Sequence, residues 1–483
     1  MKKTQNKYLR IAIPVLLLIW VLFKYCYPFA DFFIDSYAYI NAADKHDIIS
    51  YRPIGYSIFL RIVHSLSVSD TFLVTIQYGL LQSACLYLFF SLRRWFTLSL
   101  WAERILLAFL LLDPIIPYLA NCVSSDALFT ALSLFWMVEL IRLVRRPSRG
   151  GLVRQLLLLA LVISVRYNAL CYPVVAAFAF LLCPKPGLFK LTGIAATILL
   201  VLAGTLTIKE VTRRETGAAV FSAFSGWQLA NNALNMYPWI PVDTTNLPSA
   251  ECRRLAALCR QYFDSAAPSI QKTPPSATTS YMWEKGSPLR QYMYEYRKSH
   301  NLPYFTAWNN VSPLFTQYGY HLIRRHPFAF SGYYLWPSAK GFFLPPLEIF
   351  EQYNEGKKEV DAVAQDWFHY HTRQIKVRSA NIQAGIFAPF PWLYFITNVV
   401  FVITAFLFLG HKDLRARNPE FTACFALIVF FFLINSGFCI FATASVFRYQ
   451  VVSLILLVTF IICGLSEIRS SPDRYDCRSD RAI

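Results

Sequence analysis

Four groups of polar residues interrupt this otherwise apolar chain, and each contains an acid or an arginine. The first is Asp35-Ser36-Tyr37-Ala38-Tyr39, followed by Tyr51-Arg52-Pro53-Ile54-Gly55-Tyr56. The others are Ser124-Ser125-Asp126, Val165-Arg166-Tyr167-Asn168 and Phe447-Arg448-Tyr449. A positioned carboxylate can move a proton, and a guanidinium fork suits phosphate or carboxylate oxygens. Ionisable groups at the ends of apolar segments cost free energy and are often functional. All four groups sit at such ends, so the elements that carry them decide whether they meet.

Those elements are membrane helices. Hydrophobic residues make up 56% of the 483, mean hydropathy is +0.40, and windows of about 20 apolar residues recur. The expected fold is mostly α, a polytopic membrane protein with about ten transmembrane helices. The expected spans are 10–29, 71–92, 103–119, 126–144, 152–165, 168–183, 188–208, 391–410, 420–441 and 450–466. The fifth and sixth are short and punctuated by Pro, which fits re-entrant or offset segments. The net charge of +18 does not read as nucleic-acid binding, because Lys and Arg gather in short loops beside the spans. With the N-terminus inside, 21 of them fall in cytoplasmic segments against six in short outer ones. Both termini are therefore expected in the cytoplasm, with all four polar groups on the outer side. The first span resembles a signal peptide in its Lys-rich start, but no convincing cleavage site follows, so a retained helix is preferred.

Three regions follow: a transmembrane module, 1–208, with a first outer loop, 30–69; an extracytoplasmic segment, 209–390; and C-terminal helices with a cytoplasmic tail, 391–483. Residues 54–66 are too short to span. Ile54, Ile58, Phe59, Ile62, Val63 and Leu66 recur at helical spacing against Ser57, Arg61 and His64, which suits an interfacial helix. Ser69, Asp70 and Thr71 supply an N-cap for the second span. Gln271–Ser280 reads as a loop or mobile cover. Cys252 and Cys259, if helical, lie roughly 10 Å apart, beyond the ~7 Å Cα limit for a disulfide.

Asp-Ser-x-x-Tyr followed by Arg-Pro-x-Gly-Tyr-x-x-Phe-Leu resembles the first outer loop of GT-C type integral-membrane glycosyltransferases, the superfamily of protein O-mannosyltransferases and aminoarabinose transferases. Ser125-Asp126-Ala127-Leu128-Phe129 resembles the acid-bearing start of a later helix of that family, and Arg166-Tyr167-Asn168 its Arg-containing turn. The likeness covers about residues 10–210, and the remainder by layout. It implies transfer of a sugar from a polyprenyl-phosphate donor to an acceptor on the outer face.

On that likeness Asp35 is the candidate base, with N-capping of the helix from Ser36 as its plainer use. Asp31 is the fallback acid, at a position that suits a boundary marker. Arg448, Arg166 and Arg52 are candidate donor-phosphate ligands, against headgroup snorkelling. Asp126 either shares a divalent metal ion with Asp35, orients the phosphate, or caps the fourth span. Tyr37, Tyr39, Tyr56, Asn168, Trp227, Asn231 and Asn232 are candidate substrate contacts. Trp283, Trp308, Trp336 and Trp367 could stack on sugars, although packing and interfacial belting explain aromatics more often. His46 and His64 read as structural, and no Cys/His spacing reads as zinc. Expected partners are the lipid-linked sugar, membrane lipids and a glycan, lipid or protein acceptor. Competing readings are a polysaccharide polymerase or O-antigen ligase, with key residues in the outer segment, and a transporter or flippase. The chief charges away from span ends, Asp113 and Glu139, would serve the transporter reading.

Overall fold

The computed structural model describes residues 2–469 apart from 245, 273, 274, 379, 443 and 444. Arg474, Arg478 and Arg481 of the expected tail and Pro274 of the expected loop lie outside the described residues. Among the described residues the protein is helical, with isolated bridges in place of sheet. It is a multi-pass membrane protein, in which seven helical segments are long and apolar enough to cross a bilayer.

Helix α1 (Lys2–Cys26) ends before Pro28 and leaves Leu17, Leu18, Val21 and Leu22 exposed. On its other face Trp20 stacks at 4.4 Å on Tyr78 of α4 (Asp70–Trp95). Between them lie two short helices, α2 (Ile34–Asp44) and α3 (Gly55–His64). As expected, Ser69 caps α4 by accepting the Phe72 amide. The apolar stretch expected as one span, 103–119, is broken into α5 (Leu100–Leu112) and α6 (Ile115–Asn121). Pro114 supplies the break, since it lacks an N–H and disfavours helix at the residue before it. The Asp113 carboxylate caps α6 through the Ile115 amide at 3.0 Å.

Helix α7 (Ser125–Arg145) is buried along almost its whole length, as expected of a helix that is apolar all round. Helix α8 (Arg149–Val165) has 17 residues, about 25 Å at 1.5 Å per residue, short of a bilayer core of about 30 Å. Helix α9 (Tyr172–Leu182) is shorter still and follows a 3₁₀ turn, Tyr167–Cys171. Helix α10 (Gly187–Thr216), by contrast, is 30 residues long and largely exposed, with Leu199, Leu202 and Leu206 facing outward.

The segment expected as one outer region, 209–390, is divided by its packing. Helices α11 (Ala223–Leu234), α12 (Ala250–Ile270), α13 (Ser280–Trp283), α14 (Pro288–Ser299), α15 (Tyr304–Arg325) and α16 (Pro327–Phe330) share their own core around Trp227, Trp308, Phe315 and Tyr318. Gly226 allows α11 and α15 to cross closely: a Cβ there would lie 2.1 Å from the Ser312 carbonyl oxygen. Cys252 and Cys259 both sit on α12 as free, buried thiols. Beyond them, α17 (Trp336–Phe343), α18 (Ala362–Phe368) and α19 (Ala380–Phe387) pack with the membrane helices, burying Phe342, Phe350, Phe368 and Phe387 in the larger core. Helices α20 (Phe390–Gly410), α21 (Lys412–Arg417), α22 (Pro419–Ala442) and α23 (Val451–Arg469) complete the chain.

Candidate functional site

Asp35 lies in the first turn of α2, but it does not cap that helix. Phe33 is the N-cap residue, and its amide donates to the Ser36 hydroxyl. This excludes the plainer use as a cap and leaves both Asp35 oxygens free for side-chain partners. Arg52 reaches one of them. It sits in the tight turn before α3, and that turn is docked on the end of α8 because Gly55 has no side chain. A Cβ there would fall 2.5 Å from the Ser164 carbonyl oxygen. Along α3, Ser57 is buried and donates to the Tyr39 carbonyl at 3.0 Å, while Ile58, Ile62 and Leu66 are exposed.

Arg448 occupies a 3₁₀ turn, Phe447–Gln450, just before α23. One nitrogen of its guanidinium, Nη1, lies 3.2 Å from Asp35 Oδ2 and 3.3 Å from Asp126 Oδ2. Asp126 is in the first turn of α7, receives the Ser124 hydroxyl at 2.9 Å and pairs with Arg166. Arg166 leaves α8 in extended conformation and lies with its guanidinium 4.3 Å from the Tyr449 ring centre, while Arg448 lies 4.8 Å from the same ring. Tyr449 therefore braces two cations by its π face. The expected five groups, Asp35, Arg52, Asp126, Arg166 and Arg448, thus form one buried network. Helix N-termini of α2, α7 and α23 converge there, adding positive potential.

A sixth member was not anticipated. Glu348, in a 3₁₀ turn after Pro345-Pro346, takes Arg448 Nε and Nη2 at 2.7 and 3.2 Å. Its backbone lies in the left-handed region, φ 54°, a conformation that costs about 1–3 kcal/mol for a residue with a side chain. The turn is held by the Phe447 amide donating to the Pro346 carbonyl at 2.9 Å. Nothing in the local pattern sets Glu348 apart from Glu351 and Glu355, which follow it. Its relevance comes from a contact with a residue far along the chain.

Asp35 is buried, which by itself would push its carboxyl up, but Arg52 and Arg448 outweigh burial and hold it below the usual carboxylate range. Asp35 is accordingly a carboxylate at neutral pH, and a weak base while both arginines hold it. Asp31, the fallback acid, is outside this network. It accepts the Asn354 amide at 2.8 Å and the Cys122 thiol, and burial raises its pKa to about 7. It fastens α2's entry to neighbouring segments.

The remaining candidates are largely spoken for. Tyr39 meets the Ser125 hydroxyl at 2.9 Å, on the edge of the network. Tyr37 is half-buried and stacks on Phe32. Asn168 is half-buried in the turn after Arg166. Three assignments are corrected: Tyr56 is fully buried with its hydroxyl on Gln77, Trp227 is fully buried and stacked at 3.8 Å on Trp308, and Asn231 is buried and donates to the Thr278 carbonyl. Asn232 binds the Phe441 carbonyl. Trp308 is core, while Trp283 and Trp336 are 46% and 63% exposed. The His64 ring lies 4.0 Å from that of Trp367, and His46 closes the turn after α2 against the Asp44 carbonyl. Glu139 is tied to Tyr87, Arg142 and Arg154.

Asp35 and Asp126, for which a shared metal ion was one of the alternatives, share a guanidinium nitrogen. Among the described residues no group of three or more His, Cys, Asp and Glu could hold a metal ion.

Beside the network runs a groove of about 340 Å³. Arg52 and Tyr51 stand in its wall with Ala160 and Ile163 of α8, Leu200 and Gly204 of α10, and Trp308. It is mainly apolar, with a cation that is shared with the network. Comparison with family models, with curated proteins and with solved structures finds no match to this chain.

Proposed function

We propose that this protein is a GT-C type membrane glycosyltransferase that moves a sugar from a polyprenyl-phosphate donor to an acceptor hydroxyl on the extracytoplasmic face. The observation that carries the reading is the contact of Asp35 with Arg52 and Arg448, joined through Asp126 to Arg166, beside an apolar groove that Arg52 lines. A donor of this class has a prenyl chain, a phosphate and a sugar. The groove suits the chain, and the guanidinium groups suit the phosphate.

In this reading the acceptor oxygen attacks the anomeric carbon as the carbon–oxygen bond to phosphate breaks. The bonding pair leaves on the phosphate, where Arg448, Arg166 and Arg52 absorb the developing charge. Asp35 takes the acceptor's proton, and one displacement inverts the anomeric centre. Phosphate drawing Arg52 toward itself would return basicity to Asp35, so donor binding prepares the base. Asp126 positions Arg166 and Arg448.

We place both termini in the cytoplasm of a plasma (inner) membrane and count the broken α5–α6, α8 and α9 as three further crossings, which gives ten. The proposal leaves out a transporter role for Asp113 and Glu139, since one caps a helix and the other anchors arginines.

The test is Asp35→Asn, assayed with a labelled polyprenyl-phosphate sugar. Loss of a catalytic base lowers turnover by ~10²–10⁴-fold, with expression and membrane insertion intact. Undiminished turnover at normal expression removes Asp35 from the mechanism.

A further inference from the structure

The network contains three guanidinium groups and three carboxylates, so it is already balanced before an anionic donor arrives. For a phosphate to bind Arg448 without adding an uncompensated buried charge, one carboxylate has to withdraw. The acids differ in their ability to do so. The Asp126 side chain is 1% exposed, Asp35 10% and Glu348 38%. Asp35 and Asp126 are also embedded in helices α2 and α7, while Glu348 belongs to a short 3₁₀ turn.

Glu348 also has the geometry of a phosphate. Its two oxygens engage the Nε–Nη2 edge of Arg448, the edge by which a guanidinium grips a phosphate with two parallel bonds. The Asp35 and Asp126 contacts use a separate nitrogen, Nη1. Removing Glu348 from Arg448 thus opens a two-pronged anion site while leaving the Asp35–Arg448–Asp126 bridge in place.

We propose that Glu348 is an intramolecular placeholder for the donor's phosphate: it holds the Nε–Nη2 edge of Arg448 until a phosphate ester displaces it. The proposal rests on the anionic-donor reading and adds the residue that sets the affinity of the site. A ligand that binds only the open fraction has its apparent Kd raised by the reciprocal of that fraction.

The decisive measurement is binding of farnesyl phosphate, farnesol and inorganic phosphate to the full chain in detergent, comparing wild type with Glu348→Gln. Glutamine keeps the size of the side chain but not the ion pair. Farnesyl phosphate should bind the variant about tenfold more tightly, equivalent to about 1.4 kcal/mol, while farnesol is unaffected. A purely structural Glu348 gives the opposite sign, weaker binding. Equal or weaker binding of farnesyl phosphate by Glu348→Gln, or an equal gain for farnesol, overturns the proposal. The same gain for inorganic phosphate assigns the site to phosphate in general, and a gain confined to the ester assigns it to lipid phosphate; both uphold it. Glu348→Gly, which also removes the strain, is the second variant and should show the same gain if the Gln protein does not fold. Arg448→Lys separates the two levels. If wild type and every variant fail to bind farnesyl phosphate, the anionic-donor reading falls; if wild type binds it and Lys weakens it but Gln changes nothing, only the placeholder falls.

Discussion

Asp35 and Asp126 lie on either side of a single guanidinium nitrogen, Arg448 Nη1, at 3.2 and 3.3 Å. The cation therefore bridges the two acids. It joins the first turn of α2 to the first turn of α7 through the turn that opens α23.

Arg448→Ala leaves both carboxylates short of a partner in a buried setting, which should destabilise the fold by about 3–5 kcal/mol. Arg448→Lys keeps the charge and loses the fork, so it should retain its melting temperature far better while donor affinity drops about 10-fold or more. Chelation by EDTA should leave wild-type turnover unchanged. Loss of activity on chelation, restored by a divalent ion, would reassign the acid pair to metal binding.

The groove wall offers a test of the lipid assignment. Gly204 lines it, and nothing lies within 4 Å of where its Cβ would be, so a side chain can be added without a backbone clash. Gly204→Trp should raise KM for a long-chain polyprenyl donor by about tenfold, or about 1.4 kcal/mol, and leave a short-chain donor nearly unaffected. Equal KM changes for the two donors would place the prenyl chain elsewhere.

Asp31 gives a pH signature of its own. Its carboxyl is raised by burial from 3.8 to about 7. The stability linked to it is complete below the unfolded value. It is lost as pH climbs toward the folded value, because the unfolded chain releases a proton that the folded chain retains. At about 1.4 kcal/mol per unit, the loss is on the order of 4 kcal/mol across that window. Asn at this position keeps an acceptor for the Asn354 amide and cannot ionise. Thermal unfolding in detergent should thus decline less between pH 5 and 8 in Asp31→Asn than in wild type. Parallel declines would show that Asp31 does not titrate there.

Much of the helical framework could be read from apolar length, since a bilayer imposes one local requirement on each span. The Ser69 cap of α4 could be read too, because it acts within a turn of the chain, whereas the break at Pro114 was missed inside the stretch expected as one span, 103–119. The pairing of Asp35 with Arg52 was half-visible, as the two share one short loop.

By itself the sequence determined which polar groups stand at the ends of apolar helices, because a charge in hydrocarbon is costly wherever the chain folds. Only the tertiary structure decided which of them touch. Arg448 meets Glu348, Asp35 and Asp126 from three distant stretches, and Trp227, Tyr56 and Asn231 disappear into cores that their neighbours in sequence do not define. Local periodicity records which face of a helix is apolar. Which partner covers that face, and which opposite charge satisfies a buried guanidinium, is a property of segments brought together by packing.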